Sequence, residues 1–548
     1  MSHDRAAENR PVFLYKPRFF RIAHCVAVHS PIKSQRMTAK GTIYFVGAGP
    51  GDPGLLTMRG AELLRRSEVV IYDGLVNPAI LELAPPTAEI IYGGKRDLPH
   101  GQAVSTKELI KQITARARQG KCVVRLKSGD PSIFSQMDQE ALALVKAHIP
   151  FEMVPGVSSV EAVPAYAGIP LTSASSGPLY VVINAHEALK PGGTPVDWAH
   201  LAPLDGTLVF LMGLDYLEQI LHALVKHGKA ARTPAALVQQ GTHASQQTIQ
   251  GTLGTLGALA AEARLEHPLI LVVGDCVLLR EKLQWFERRP LFGQRIVVTR
   301  AREQAAILAH PLRERGADVL EIPVIKIAAP KKTDPIKEAI QSLNSYDWLV
   351  FTSPNGVSEF FKLFFELHQD LRDIGGLRIA AVGPATAQKV KECRLQVDAM
   401  PVEFLSKNII DAIAEIQSIE NLRILLLRAE VASTELPRML EEKGAIVDDV
   451  ACYQTVAEKE DAQGASVRLL EGGADWISFT SGSTVEHFHA RFDLPKLLAR
   501  FPSMKLASIG PETTKAITAL NLKADFEATP HTVEGLIAGL SNTQPSHD

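Results

Sequence analysis

Glycine, aspartate and proline stand directly after short apolar segments in the first half of the chain. Residues 43–46 lead into Gly-Ala-Gly-Pro-Gly-Asp-Pro at 47–53, Val69–Tyr72 ends at Asp73, and Val123–Lys127 leads into Ser-Gly-Asp-Pro at 128–131. Glycine lets the backbone approach a ligand closely, because it carries no side chain and adopts conformations closed to other residues. These residues predict a small-molecule site where the apolar segments end.

Two common glycine motifs for nucleotides fit this loop poorly. A dinucleotide-binding loop, with Asp73 on a ribose hydroxyl, needs G-x-G-x-x-G, whereas the glycines here are at 47, 49 and 51 and position 52 is Asp. Pro50 and Pro53 also stiffen a loop that should open directly into a helix. A Walker loop is excluded because no Gly-Lys-Ser/Thr follows. On residue type alone, Asp73 is a turn or helix-cap carboxylate.

The elements that position these residues alternate between strands and helices. A strand over 43–46, a helix over about 55–67 and a strand over 69–72 begin the pattern, and it continues through 123–127 and 151–154. Such alternation predicts a parallel α/β fold. In parallel sheets, ligands bind outside the carboxyl ends of the strands.

Composition limits the class of protein. The chain has 548 residues, 46% of them hydrophobic, and 58 Lys and Arg against 60 Asp and Glu, which gives a net charge of −2. This balance does not favour a nucleic-acid partner, and no apolar run reaches the length of a membrane span. The five cysteines form no C-x-x-C pair, so we expect neither a disulfide framework nor a metal site, but thiols in a reducing cytoplasm.

Residues 1–40 are predicted to be a disordered extension. Residues 1–36 carry seven Lys and Arg against two Asp and Glu, without a regular apolar period. An organellar transit segment is an alternative. Met37 is a candidate natural start, since the sequence runs from it straight into the first strand.

Seven motifs between 41 and about 285 together carry a family resemblance. They are VGAGPGDPGLLT, YDGLV, GGKR, VVRLKSGDPSIF, VPGVSSVEAVPAYAGIPLT, FLMG and VQQGT. This segment resembles the tetrapyrrole (corrin and porphyrin) methyltransferases, above all those that methylate uroporphyrinogen III. The resemblance implies two α/β subdomains with S-adenosylmethionine in the cleft between them, and a homodimer.

The resemblance also implies roles for single residues. Asp73 matches the proposed general base of the family and Lys95 the proposed proton donor, although Lys95 would otherwise be an ordinary surface lysine. The positions that match donor-binding residues are Pro50, Ser128, Gly129, Asp130, Ile133, Ser158, Ser159, Met212 and Gly241.

The acceptor side departs from the family pattern. Gln136 stands where an arginine is usual, Ser173 and Ala174 replace a His-Arg pair, and Asn184-Ala185-His186 replaces Thr-Gly-His. Uroporphyrinogen has eight carboxylates, so the loss of two arginines weakens the expected recognition. The basic residues proposed to compensate are Arg96, Arg125 and Lys127.

The second half repeats itself at one offset, beyond a predicted linker at 286–294. Residues 295–300 match 423–428 and residues 347–353 match 475–481, both 128 apart, and 381–384 matches 508–511 at 127. These coincident offsets predict two similar α/β units whose strand ends, rich in Ser, Thr, Gly and Pro, face a cleft.

Residues 291–548 resemble uroporphyrinogen-III synthase, on DWLVFTSPNGV, VGPATA, LLLRAE, ACYQT, DWISFTSGSTV and IGPETT. The resemblance implies one domain of about 291–325 plus 457–548, a second of about 326–456, and no cofactor. It implies that Tyr453 assists loss of the substrate hydroxyl, and that Thr386, Ser481 and Thr513 bind substrate carboxylates. Arg300 is a candidate carboxylate partner. The alternatives are an interface tyrosine and helix caps.

Together the two resemblances predict a cytoplasmic, bifunctional enzyme of tetrapyrrole biosynthesis. It would cyclise hydroxymethylbilane to uroporphyrinogen III, with inversion of ring D, and methylate the product at C2 and C7 to precorrin-2 for sirohaem or cobalamin. Its partners would be small-molecule tetrapyrroles. Two alternatives stay open: a methyltransferase of the same fold that acts on another corrin, RNA or protein, and a non-catalytic fusion that binds tetrapyrroles.

Overall fold

The computed structural model describes residues 41–94, 102–174, 176–402, 408–461 and 464–542, and these residues form four five-stranded sheets. The predicted extension at 1–40, as well as Lys95 and Arg96, lies outside the described residues. No helix in the described ranges combines the length and the apolar character that crossing a membrane requires.

The first sheet is parallel throughout, with strand order β3-β2-β4-β1-β5. All four residues of Val69–Tyr72 are buried, as expected for a strand covered on both faces. The predicted strands at 69–72, 123–127 and 151–154 are confirmed. The elements are β1 (Ile43–Gly47), α1 (Met58–Arg65), β2 (Val69–Tyr72), β3 (Glu89–Tyr92), α2 (Thr106–Arg118), β4 (Val123–Lys127), α3 (Met137–Lys146), β5 (Phe151–Val154) and α4 (Ser159–Tyr166).

The second sheet is mixed, which corrects the expectation of parallel strands throughout. Its order is β6-β7-β10-β8-β9, and only β6 and β7 run parallel. A loop of a few residues joins β8 to β9, too short for the crossover that a parallel pair needs. The elements are β6 (Tyr180–Asn184), α5 (Ala185–Leu189), α6 (Trp198–Leu201), β7 (Thr207–Leu211), α7 (Leu217–Lys226), β8 (Pro234–Gln239), β9 (Gln247–Thr252), α8 (Leu256–Ala263), β10 (Leu269–Val273) and α9 (Arg280–Leu283).

The third and fourth sheets share the second half of the chain. The chain leaves the third sheet after β11 (Arg295–Val298), α10 (Arg302–Glu314) and β12 (Asp318–Glu321), and the fourth sheet follows. The elements of the fourth sheet and its helices are β13 (Ile325–Ala328), α11 (Asp334–Gln341), β14 (Trp348–Phe351), α12 (Pro354–Leu367), β15 (Arg378–Ala381), α13 (Pro384–Glu392), α14 (Ile409–Ala414), β16 (Arg423–Ala429), α15 (Glu435–Glu442) and β17 (Ile446–Ala457).

The chain then returns to the third sheet. The returning elements are α16 (Ala465–Gly472), β18 (Trp476–Phe479), α17 (Gly482–Phe492), α18 (Leu494–Arg500), β19 (Lys505–Ser508), α19 (Pro511–Ala519), β20 (Phe526–Glu527) and α20 (Val533–Asn542). The third sheet has the order β12-β11-β18-β19-β20 and the fourth β13-β17-β16-β14-β15. Where the chain crosses back, the Glu458 amide donates to the Val324 carbonyl at 2.9 Å.

The sequence repeat is visible in the strand register. Trp348 of β14 pairs with Ile424 of β16, and 128 residues later Trp476 of β18 pairs with Ile296 of β11. Asp347 and Asp475 make equivalent contacts in the two pairs. Each carboxylate accepts the backbone amide of the arginine that begins the neighbouring strand, at 2.8 and 2.7 Å. The two repeats therefore exchange their first strands: β11 joins the sheet of the later repeat and β16 that of the earlier one.

The predicted linker packs against both halves. Phe286 is 4% exposed, and its ring centroid lies 4.7 Å from that of Tyr166 and 5.4 Å from that of Phe292. The Glu287 carboxylate accepts from Gln246 at 2.8 Å, and Leu291 is fully buried in the apolar core beneath the third sheet. The segment is thus fixed on both sides rather than a free tether.

Candidate active sites

The loops that follow β1, β4 and β5 approach one another through glycines, which carry no side chain. Gly49 and Gly129 exchange two backbone hydrogen bonds, at 3.2 and 2.8 Å. A Cβ atom on Gly47 would lie 2.5 Å from the Gly156 Cα, and one on Gly156 would lie 2.3 Å from the Gly129 carbonyl oxygen. Because backbone atoms cannot move aside, glycine is required at 47 and 156 for the loops to approach.

The polar residues predicted to bind the methyl donor lie around this junction. The Asp130 carboxylate accepts the Gly156 amide at 2.9 Å and so joins the loops after β4 and β5. Ser158 caps α4 by accepting the Val160 amide at 3.1 Å. A Cβ atom on Gly129 would meet only the Ser159 nitrogen, at 3.7 Å, so open space lies above Gly129 at the start of α4. Ser128 is half-buried beside it.

The loop after β8 closes the junction from the second sheet. Thr242 Oγ1 accepts the Asp52 amide at 3.1 Å, and the Tyr166 hydroxyl donates to Asp52 Oδ2 at 2.8 Å. A Cβ atom on Gly241 would lie 2.3 Å from Val163 Cγ1. The half-buried Pro50 belongs to the same loop as Asp52. Gly241 and Thr242 of the loop after β8 therefore lie against α4 and the loop after β1.

Apolar side chains reach solvent on the strand-end loops. Ile133, Phe134 and Met212 are 43%, 44% and 45% exposed. Phe134 and Met212 also have positive φ, as do Gln136 and Thr242, a conformation that costs free energy in residues with a side chain and is concentrated at functional sites.

Asp73, directly after β2, belongs to a buried cluster of four charges. Arg125 donates to Asp73 Oδ1 at 2.5 Å, and the Lys127 ammonium lies 3.7 Å from Asp73 Oδ2. Glu140 of α3 binds both cations from the other side, at 2.9 Å each. The carboxylates of Asp73 and Glu140 outweigh the effect of burial and raise the pKa of Arg125. Sequence reasoning missed Glu140.

The structure corrects the roles suggested for Arg125 and Lys127. Both residues are 2% exposed, and their charged groups are already bound by Asp73 and Glu140. They cannot also bind carboxylates of an acceptor, because leaving the carboxylates of the cluster would strand two buried charges.

The residues that replace the expected basic ones are neutral and locally engaged. Gln136 precedes α3 with a positive φ, the Ser173 hydroxyl lies 2.8 Å from that of Ser176, and Asn184 caps α5 by accepting the Glu187 amide at 3.1 Å. His186 packs near Tyr216. The two missing arginines, at position 136 and in the pair at 173 and 174, are thus replaced by uncharged residues.

Tyr453 defines a second candidate site in the fourth sheet. Its hydroxyl lies 2.9 Å from Ser353 Oγ, and Ser353 caps α12 by accepting the Gly356 amide at 3.1 Å. Burial raises the pKa of Tyr453, although its hydrogen bonds to Ser353 and Asn355 oppose the shift. Tyr453 is thus a protonated phenol held at the start of α12.

Arg300, after β11, lies opposite this site on the third sheet. It donates to Gln304 Oε1 at 2.8 Å, and Gln304 Nε2 donates to Asn355 Oδ1 at 2.5 Å, so the contact crosses between the two sheets. Burial lowers the pKa of Arg300. Among the described side chains, no carboxylate lies within ion-pair distance of its guanidinium. This arrangement suits a carboxylate brought by a ligand.

The three predicted hydroxyl residues all lie where a helix begins after a strand. Ser481 caps α17 in a capping box with Thr484, which agrees with the alternative that it is a helix cap. Thr386 and Thr513 are 4% and 3% exposed in the first turns of α13 and α19. Sequence reasoning missed Ser353, which the repeat signalled, since it stands 128 residues before Ser481.

Comparisons with known proteins agree with the two-part organisation. Residues 42–257 match the family model "Tetrapyrrole (Corrin/Porphyrin) Methylases", and residues 307–538 match "Uroporphyrinogen-III synthase HemD". The chain is 36% identical over 484 residues to the porphyrin biosynthesis protein HemD of Ruminiclostridium josui, covering 88% of this chain and 94% of that protein.

Two further relatives match shorter parts of the chain. The uroporphyrinogen-III C-methyltransferase of Bacillus subtilis is 38% identical over 352 residues, which cover 64% of this chain and 71% of that protein. The siroheme synthase of Pseudomonas fluorescens strain Pf0-1 is 46% identical over 260 residues, which cover 47% of this chain and 55% of that protein.

Proposed function

Because the chain belongs to the porphyrin biosynthesis proteins that join a tetrapyrrole methylase to a uroporphyrinogen-III synthase, we propose that it catalyses two consecutive reactions. The synthase half, about 291–548, cyclises hydroxymethylbilane to uroporphyrinogen III with inversion of ring D. The methylase half, 41–285, methylates that product at C2 and C7 to precorrin-2, a precursor of sirohaem and cobalamin. The observation that carries the proposal is the pairing itself, since one half makes what the other consumes.

In the methylase half, the cleft between the first two sheets is the proposed site of S-adenosylmethionine, which supplies a methyl group on a positively charged sulfur. Backbone of the glycine junction and the start of α4 would contact the polar end of the molecule, while Ile133 and Met212 offer apolar surface. The residues proposed to hold it are Pro50, Ser128, Gly129, Asp130, Ile133, Ser158, Ser159, Met212 and Gly241.

Asp73 is the proposed general base of the methylase half. The attacked pyrrole carbon loses a proton after it accepts the methyl group, and a fixed carboxylate at the cleft can receive that proton. Its side chain is 28% exposed, while the cations that hold it are buried. Lys95 is proposed as the proton donor on the strength of the family motif alone.

In the synthase half, the proposed work is to fold and hold the linear substrate. Hydroxymethylbilane loses its hydroxyl readily, so the enzyme must control which end closes, mainly through positioning. Tyr453 would donate to the departing hydroxyl. Arg300, Thr386, Ser481 and Thr513 would bind substrate carboxylates, with Arg300 supplying the charge-assisted contact. This half is proposed to need no cofactor.

Location and assembly follow from the same proposal. We expect a cytoplasmic enzyme that takes small-molecule tetrapyrroles, has neither nucleic acid nor membrane as a partner, and forms a homodimer through the methylase half.

One observation favours a second candidate function. Gln136, Ser173 and Ala174 leave the expected acceptor positions neutral, and Arg125 and Lys127 are engaged elsewhere. A methyl acceptor with fewer carboxylates, such as another corrin, fits those positions better than uroporphyrinogen III does.

A single anaerobic incubation tests both reactions. The purified protein is given hydroxymethylbilane and S-adenosylmethionine, and the product is identified by mass and isomer. A dimethylated type-III product is the expected result. Type III without methyl groups would favour the other acceptor, and type I alone would contradict the synthase proposal.

Two variants assign each reaction to its half. Asp73→Asn should abolish methylation and leave type-III cyclisation intact. Tyr453→Phe should slow cyclisation by about a hundredfold, since one hydrogen bond to a developing charge is lost, and leave methylation of supplied uroporphyrinogen III unchanged. Tyr346→Phe is the matched control, because Tyr346 donates to Asp448 at the opposite end of the same sheet.

A further inference from the structure

The loop after β8, residues 240–246, is fixed through Thr242. The Thr242 amide donates to Gln246 Oε1 at 2.8 Å, and Thr242 Oγ1 accepts the Asp52 amide at 3.1 Å. Thr242 has a φ of 69°, a conformation that is unusual for a residue with a branched Cβ atom and persists only where the surroundings enforce it. These two hydrogen bonds therefore hold the loop after β8 against the loop after β1.

Gln246 connects this loop to Glu287, in the segment that joins the two halves. Because a backbone amide can only donate, Gln246 must turn its carbonyl oxygen towards Thr242 and its NH2 group the other way. That NH2 group donates to Glu287 Oε1 at 2.8 Å. Gln246 is 4% exposed, so the loss of the Glu287 carboxylate would leave a buried donor unsatisfied. The orientation of the Gln246 side chain therefore depends on Glu287.

Glu287 also binds two other side chains of the methylase half. Its Oε1 accepts the Thr248 hydroxyl at 2.6 Å, and its Oε2 accepts Arg280 NH2 at 2.5 Å. Arg280 is buried and donates through NH1 to the Ala167 carbonyl at the end of α4, at 2.5 Å. Glu287 thus joins the loop after β8 to the carboxyl end of α4.

Both loops that Thr242 joins carry residues proposed to bind the methyl donor. Pro50 stands two residues before Asp52, and Gly241 directly precedes Thr242. Asp52 has a second contact, because its Oδ2 accepts the Tyr166 hydroxyl at 2.8 Å. Loss of the contact through Thr242 should therefore displace the two loops relative to each other without separating them completely.

We propose that Glu287 is a positioning residue for donor binding, which holds the loop after β8 against the loop after β1 through Gln246 and Thr242. The inference rests on the proposed site of S-adenosylmethionine. Because Glu287 belongs to the segment that joins the two halves, the docking of that segment also shapes the proposed donor site.

An exchange of the two side chains tests this contact. Glu287→Gln leaves one carbonyl oxygen where two oxygens accepted, so an NH2 group must face a donor of Gln246 or of Arg280. Gln246→Glu places a second carboxylate against Glu287. In the double variant the carboxylate at 246 accepts from the Thr242 amide and from the amide at 287, whose oxygen accepts from Arg280. The double variant therefore restores the pairing and keeps one negative charge beside Arg280.

The first test needs no ligand. Hydrogen exchange of the full chain, followed by mass spectrometry, reports how firmly the Thr242 and Asp52 amides are held. We expect both amides to exchange about tenfold faster in each single variant, since one hydrogen bond of the network is lost, and at the wild-type rate in the double variant. Glu281→Gln is the control, because the same change is made at an exposed side chain six residues earlier, and exchange should not change.

The second test is donor binding by the same variants. The affinity for S-adenosylmethionine, measured by isothermal titration calorimetry, should fall about tenfold in each single variant and recover in the double variant. The KM for the donor should rise by the same factor while the kcat of methylation is kept, a split that a general loss of folded protein would not produce.

Wild-type exchange in the single variants, or a double variant no better than either of them, would overturn the inference. Faster exchange with unchanged donor affinity would also overturn it. If Glu287→Gln does not fold, Gln246→Glu and the double variant still decide it. A wild-type chain that binds S-adenosylmethionine without methylating uroporphyrinogen III would contradict only the proposed function, because neither exchange nor donor affinity depends on an acceptor.

Discussion

At the scale of residues, the loops at the strand ends of the methylase half can approach one another only because certain positions are glycine. The loops after β1, β4 and β5 approach so closely that Gly47 and Gly156 face backbone atoms on the neighbouring loop. Above Gly129, by contrast, a Cβ atom would meet only the Ser159 nitrogen, at 3.7 Å. The proposed donor site is therefore shaped by missing side chains as much as by the residues proposed to bind.

Gly156→Ala is predicted to damage the donor site selectively. The new Cβ atom would lie 2.3 Å from the Gly129 carbonyl oxygen, so the loops after β4 and β5 must separate. We expect the affinity for S-adenosylmethionine, measured by isothermal titration calorimetry, to fall about tenfold or more, since a misplaced contact loses binding free energy quickly. Cyclisation should be unchanged.

Gly376→Ala provides the control, because a Cβ atom there meets no atom within 4 Å. Equal donor affinity in Gly156→Ala and the wild type would show that the junction does not shape the site.

At the scale of elements, the synthase half presents helix starts to its cleft in a repeated pattern. Ser353 and Ser481, 128 residues apart, each follow a buried strand and each cap the helix that comes next. The caps satisfy backbone amides that would otherwise lack a partner. Ser353 makes one further contact, because its hydroxyl also lies within hydrogen-bond distance of the Tyr453 hydroxyl.

The two caps are predicted to contribute equally to stability but unequally to activity. Ser353→Ala and Ser481→Ala should each lower the free energy of unfolding by about 1 kcal/mol, seen in calorimetry as a fall of roughly 2–4 °C in the transition of the synthase half. Only Ser353→Ala should alter the pH dependence of cyclisation, because only that variant removes a hydrogen-bond partner of Tyr453. Identical pH profiles for both variants would contradict the role of the Ser353–Tyr453 contact.

At the scale of the whole molecule, the two halves touch through the loop after β8, which also contacts the proposed donor site. His243 follows Thr242, and its ring occupies the place that a Cβ atom on Gly51 would need. Asp318 and Arg468, from the synthase half, act on the charge of His243, as does Asp52. A cavity of about 280 Å³ next to this contact is lined by Ala244 and Ser245 on one side and by the third sheet on the other.

The folded protein is predicted to become less stable as the pH is lowered, because of His243. Burial lowers the pKa of His243 below the ordinary value of 6.5, although Asp318 opposes the shift. The neutral ring is favoured in the folded state, so its contribution is complete above pH 6.5 and is lost as the pH falls below that value. The thermal midpoint of the wild type should therefore approach that of His243→Gln between pH 6.5 and 5.5. A difference in midpoints that stays constant over this range would contradict the prediction.

The sequence by itself determined the strands, the repeat and the two families. Buried parallel strands such as Val69–Tyr72 and Val123–Lys127 are continuous apolar segments with glycine or aspartate behind them, and that pattern is local. The offset of 128 residues likewise needs only a comparison of the chain with itself, and the register of Trp348 and Trp476 confirms it.

Only the tertiary structure decided which distant side chains meet. Arg125 and Lys127 resemble acceptor-binding residues in the sequence, yet α3 brings Glu140 behind them and turns both cations towards Asp73. The exchange of β11 and β16 between the repeats and the docking of Phe286 depend on sheet order and packing in the same way. Local patterns report burial and periodicity, whereas ion pairs between elements depend on which strands and helices become neighbours, and that is fixed only when the whole chain packs.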